Sequence, residues 1–228
     1  MLKTEINRVL QIREKVINLG NFVIEKNEKI LDALESKKIA SVGDIKQQPK
    51  RNVQKNADIL DNEIVTALSL YCPEARDLRE LISYLKISNE FVRVYSNSRS
   101  FINDFSTAFS SRLKEKKILE YVIPMQKTSL SALKRAIDMI GLDDDNEVKK
   151  AFNSVYADEE KTDKLYQVLT KEIMGLINKD ESKSIEYYEV LHTVRRIEKV
   201  ADRALSIASL VYYAKLGGEI SQEIEVDS

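Results

Sequence analysis

The sequence predicts an all-α protein, built as six long antiparallel helices in two tandem three-helix bundles. Three observations carry this. Gly 6, Pro 3 and Trp 0 in 228 residues leave little material for hairpin turns. Charged residues (32%) and hydrophobic ones (43%) interleave at the spacing of amphipathic helices rather than in alternation. Gly, Pro and polar clusters then cut the chain into six such stretches.

The first helix is expected over about 4–35, with Ile6, Leu10, Val16, Leu19, Phe22, Val23, Ile30 and Leu34 at helical spacing. Gly20 inside it costs roughly 1 kcal/mol against alanine. SKKIASVGDIKQQPK reads as a loop, and a second helix follows over about 52–70. Pro73 stands early in the third helix, where its missing N–H costs little, and that helix continues to about Arg112. After the polar hinge SRLKEKK, a fourth helix runs to Ile140, either starting near Pro124 or kinked there. GLDDDNE ends it and offers Asp144 or Asp145 as N-cap to a fifth helix reaching about Ile177. NKDESKS is the last loop. A sixth helix covers about 185–216 and is ended by Gly217 and Gly218, and the tail beyond is expected to fray. Leu85, Phe91 and Val94 of the third helix align with Leu191, Ile197 and Val200 of the sixth. This weak internal repeat suggests a first bundle over 1–113, a second over 114–218 and a flexible tail over 219–228.

Composition also excludes several function classes. Lys+Arg 36 against Asp+Glu 37 gives a net charge of -1, and no basic stripe with interleaved aromatics supports nucleic-acid binding. Cys72 is the only cysteine, so no internal disulfide, all-cysteine zinc site or iron–sulfur cluster can form within one chain. The charged N-terminus has no apolar signal core, and no run of about 18 apolar residues exists to span a membrane. A soluble cytoplasmic protein is the economical reading. Phosphate-cradling glycine loops, zinc-protease motifs and Ser–His constellations are absent, which makes an enzyme improbable.

The informative residues are acids where the pattern asks for apolar side chains. Residues i and i+4 of a helix lie about 40° apart on one face. On the sixth helix the stripe reads Tyr187, Leu191, Val194, then Glu198 and Asp202, then Leu205, Ala208 and Tyr212. The fifth reads Phe152, Val155, Tyr156, then Glu159 and Asp163, then Tyr166, Leu169 and Ile173. Helices joined by a short loop pack antiparallel, so the two pairs are placed to face each other. Four converging carboxylates repel, and a cation such as iron, zinc, manganese or magnesium would relieve that. A second reading stays open on pattern alone. Arg195 with Glu198, and Lys199 with Asp202, are i,i+3 neighbours able to form ordinary surface pairs. His192 lies about 120° round the helix from Glu198, and the Glu-x-x-His pattern of ferritin-type di-iron sites is absent. LDDDNE is better read as a cap than as a calcium loop.

Three stretches in order, PEARDLRELISYLKI (73–87), ADEEKTDKLY (157–166) and RRIEKVADRALSIA (195–208), give the chain a resemblance to the PhoU family. These are phosphate-signalling regulators built from two tandem three-helix bundles, and the resemblance covers nearly the whole chain. It implies a metal site of Glu159, Asp163, Glu198 and Asp202 in the second repeat. The first repeat departs from the family pattern: Val92 and Ser96 stand at the acid positions, and the partner positions fall near Lys50 and Gln54. One site per chain is therefore expected. The resemblance further implies a homodimeric, non-catalytic, cytoplasmic repressor of phosphate uptake and starvation signalling. It would contact the ATPase subunit of a phosphate ABC transporter and a sensor histidine kinase. Two rivals remain: an accessory subunit of a different, non-ABC phosphate permease, and a carboxylate-metal hydrolase or metal-storage protein.

Overall fold

The computed structural model describes residues 3–38, 50–73, 75–108, 113 and 115–218. They form α1 (Lys3–Glu35), α2 (Lys50–Tyr71), α3 (Ala75–Ala108), α4 (Glu115–Asp138), α5 (Asp145–Ile177) and α6 (Ser184–Leu216), with short 3-10 turns at Met139–Gly141 and Glu181–Lys183. The described residues contain no strand. The protein is all-α, and its described residues form six long helices, as the spacing predicts. The expected loop over residues 39–49, most of the hinge before α4 and the tail from 219 lie outside the described residues.

Local chemistry explains the ends. Asp144 is the N-cap of α5, its carboxylate accepting from the backbone N–H of Asn146 and Glu147 at 3.0 and 2.9 Å. Gly217, at φ 73, closes α6 in a backbone conformation costly for residues with a Cβ, and its N–H donates to the Tyr213 carbonyl. Pro124 lies inside α4, which begins upstream at Glu115 rather than at the proline. Pro73 precedes α3 rather than standing in its first turn, and φ is positive at Cys72 (44) in the connection and at Ala75 (48), the first residue of α3.

α3 and α6 make the most extensive helix–helix contact; α2 packs on α1 and α3, and α5 on α4 and α6. The apolar core divides by height along the helices rather than by helical triplet. One buried cluster holds Val9 to Val23 of α1, α2, Leu81 to Tyr95 of α3, Ala132 to Ile137 of α4, Val148 to Val155 of α5 and Val200 to Tyr212 of α6. The other holds Ile30 to Leu34, Phe101 to Phe105, Ile118 to Met125, Leu169 to Leu176 and Tyr187 to Ile197. Polar residues occupy the level between them. Buried Ser98 donates to Asn27 Oδ1 at 2.8 Å, and the Gln126 amide reaches the same oxygen at 3.3 Å, joining α3, α1 and α4. On α5 and α6 this level is where Glu159, Thr162, Asp163 and Glu198 fall. Glu159, Asp163 and Glu198 interrupt the stripe because they occupy the seam between two cores, and Asp202 stands at the edge of the first.

Gly20 has a steric reason to interrupt α1. A Cβ there would lie 2.9 Å from Phe91 Cζ and 3.0 Å from two Ile137 side-chain atoms, so glycine lets α1 approach α3 and α4 closely. Gly20→Ala should destabilise the fold by about 1–2 kcal/mol despite its better helix propensity, read as a lower urea midpoint. A higher midpoint would show that the ring and isoleucine yield without strain.

A buried ion network closes the end of the bundle where α3 begins and α6 finishes. Glu80 is 1% exposed and accepts from Lys215 Nζ at 3.0 Å, Arg13 at 2.9 Å and the Tyr84 hydroxyl at 2.8 Å. Asp143, in the α4–α5 connection, pairs with Lys215, Arg76 and Arg13 at 3.2, 3.2 and 3.4 Å. Burial alone would raise the Glu80 pKa, but Lys215, Tyr84 and Arg13 outweigh it and hold it below the usual carboxylate range. The network ties α1 and α3 to α6. Arg196–Asp104 (2.7 Å) and Arg203–Glu90 (3.5 Å) add two further pairs along the α3–α6 seam.

Candidate functional site

Glu159 and Asp163 project from one face of α5, one turn apart, toward α6. Asp202 projects from α6 to meet them. One carboxylate oxygen from each of the three lies within 4.8 Å of the others, and all three side chains are half-buried. Glu198, the fourth residue expected at the site, stands one turn before Asp202. Its Oε1 accepts from Lys199 at 3.2 Å, while Oε2 is buried without a hydrogen-bond partner, Arg195 Nε being 4.0 Å away. Lys199 also donates to Asp202 Oδ2 at 2.7 Å. The two sequence readings of these acids therefore coexist: α5 and α6 bring carboxylates together, and α6 carries an ammonium on two of them.

The electrostatics follow from half-burial and like charge. Burial, then the charges of Asp163, Asp202, Glu160 and Glu198, push the Glu159 carboxyl up to about 7. Glu198 is raised as well, by burial first and by Asp202 next, with Lys199 pulling the other way. Lys199 is raised in turn by its bond to Asp202. Neighbouring acids are spoken for by their own partners: Asp158 by Arg135 at 3.2 Å and Glu160 by Lys164 at 3.4 Å. An all-oxygen donor set, charge repulsion within it and an orphaned carboxylate oxygen beside it are what a hard or borderline cation fits.

The corresponding positions on α2 and α3 have different chemistry. Val92 is buried in the apolar core with Val53 and Ala57 of α2, and Ser96 is half-buried. Gln54 donates to Asp58 at 2.9 Å, and the Lys50 side chain lies outside the described residues. His192 is exposed on α6, away from the carboxylates, and Cys72 is an exposed free thiol. No helix of the described residues is long and apolar enough to cross a membrane.

Comparison with known proteins places this arrangement. Residues 122–211, which contain all four acids, match the PhoU domain. The phosphate-specific transport system accessory protein PhoU homolog of Streptococcus pneumoniae is 24% identical over 210 residues, 91% of this chain and 93% of the relative. Its namesake in Archaeoglobus fulgidus is 27% identical over 178 residues, 74% of this chain and 76% of the relative. The crystal structure of the phosphate transport system regulatory protein PhoU from Streptococcus pneumoniae superposes with a TM-score of 0.76 at 21% identity, covering 94% of this chain and 98% of that one. That of PhoU from Pseudomonas aeruginosa gives 0.77 at 18% identity, over 93% and 99%.

The chain carries a PhoU domain over residues 122–211 and is similar to PhoU proteins along nearly its whole length. Its PhoU-like stretch 73–87 supplies Arg76, Glu80 and Tyr84 to the buried ion network, a role that sequence reading missed. The signal was present: Glu80 stands in register with buried Tyr84, Ile87 and Phe91, and Lys215 follows buried Val211 on α6.

Proposed function

We propose that this PhoU-like chain is a cytoplasmic, non-catalytic regulator of phosphate transport that binds a metal ion at Glu159, Asp163 and Asp202, with Glu198 beside them. The observation carrying this reading is that the acids meet across α5 and α6 inside the matched PhoU domain, in a chain that spans nearly all of its pneumococcal relative. A bound cation would neutralise the carboxylates and clamp the middle of α5 to the middle of α6. Iron, zinc, manganese and magnesium all suit oxygen ligation in principle. The apolar filling around Val92 supports one site per chain, at the acids of α5 and α6. The adapter reading assigns the work to surfaces, with the ATPase subunit of a phosphate ABC transporter and a sensor histidine kinase as partners and a homodimer as the assembly.

Alkaline phosphatase output in high phosphate, in a bacterium lacking its own PhoU, tests the reading. This chain should restore repression, and Asp163→Ala with Asp202→Ala should weaken it. Continued high output from well-expressed wild-type chain would contradict the adapter role and favour service to a different phosphate permease.

A further inference from the structure

The cation site leaves Lys199 to be explained. Its ammonium bonds to two acids one turn apart on its own helix, Asp202 at 2.7 Å and Glu198 at 3.2 Å. Asp202 also belongs to the group of three carboxylates that face one another across α5 and α6. Lys199 is 35% exposed, and its partners Glu198 and Asp202 are 13% and 27% exposed, so water screens these contacts only partly.

We infer that Lys199 is a tethered competitor for the cation: it partly neutralises Asp202, holds Glu198 on its own side, and thereby sets how tightly the site takes up a divalent ion. This inference rests on the cation reading of the site. Two physical points carry it. Asp202 is shared between Lys199 and the group of three acids, so a divalent ion held there would lie close to the ammonium; like charges a few ångströms apart weaken binding on the order of tenfold even with water-like screening. An ammonium on the same helix is also never lost to dilution, so it is present whenever the external ion is scarce. The site then has two charge-balanced states. In one, Lys199 offsets the acids; in the other, the divalent ion does so, and Asp202 and Glu198 no longer depend on Lys199.

The prediction has an unusual sign. Removing a charged side chain that bonds directly to the site should improve it. Lys199→Met should bind Mn2+ roughly tenfold more tightly than wild type at fixed ionic strength, whereas Lys199→Arg, which keeps the charge, should stay within about twofold. Metal-free Lys199→Met should melt below wild type, because its acids lose their counter-ion, and Mn2+ should raise its Tm by more than it raises the wild type's. Titration calorimetry and thermal melts on the full chain give both readouts, and Lys199→Gln serves if the methionine variant does not fold. Wild-type binding with equal or weaker binding by the neutral variants would overturn the role of Lys199 and leave the site intact. Binding by the neutral variant alone would support it, as a mask. Failure of both to bind would remove the site and this inference with it.

Discussion

Glu80→Leu should cost the fold about 3–5 kcal/mol, the usual result of leaving buried charge uncompensated. Lys215, whose side chain is 1% exposed, would then face Arg13 with only the more exposed Asp143 to offset both. The free energy from urea unfolding measures this. Replacing Lys215 and Glu80 together by leucine should recover part of the loss, because a well-packed apolar pair avoids desolvating ions. Glu80 also has a signature in pH. Its folded-state pKa is depressed, so its contribution is present above the ordinary carboxylate range and is lost as pH falls through the depressed value. A loss below 1 kcal/mol for Glu80→Leu would show that the network is incidental to stability.

Glu159→Gln should move stability and cation binding in opposite directions. A carboxyl raised from 4.5 to about 7 takes up its proton on folding. Its contribution is therefore complete below 4.5 and is lost as pH rises through about 7, where the metal-free protein carries an unrelieved charge in a half-buried site. Above that pH the glutamine variant should be more stable than metal-free wild type, by about 1–3 kcal/mol once partial exposure is allowed for, and its stability should vary less between pH 5 and 8. The same substitution removes a proposed ligand and should weaken divalent binding at least tenfold. Cation uptake by wild type near neutral pH should release protons, which calorimetry in buffers of different ionisation enthalpy detects. A residue kept at a cost to the bare fold and needed for ligand is what a binding site requires. If Glu159→Gln left both properties unchanged, the carboxylates would be ordinary surface acids.

Much of this was legible in the chain. Six helices follow from spacing and punctuation, and Asp144 and Gly217 mark their ends by known backbone chemistry. The convergence of Glu159, Asp163 and Asp202 follows from i,i+4 spacing on two antiparallel neighbours. Two features depended on tertiary contact and were not legible. Gly20 looked like a local weakness because the closeness of Phe91 and Ile137 is a property of three helices, not one. The split of the core into two levels joins residues from distant parts of the chain, so no single stripe reveals it. Glu80 and Lys215 were readable by the same rule that exposed the carboxylates, a charge at a core position, but opposite charges 135 residues apart satisfy each other only once the fold is known.

The most direct measurement is the stoichiometry of Mn2+ binding to wild type and to Asp163→Ala/Asp202→Ala by equilibrium dialysis at pH 7.5. The account predicts saturable binding at the acids of α5 and α6, present in wild type and absent from the double variant. Undiminished binding by the folded double variant would contradict it.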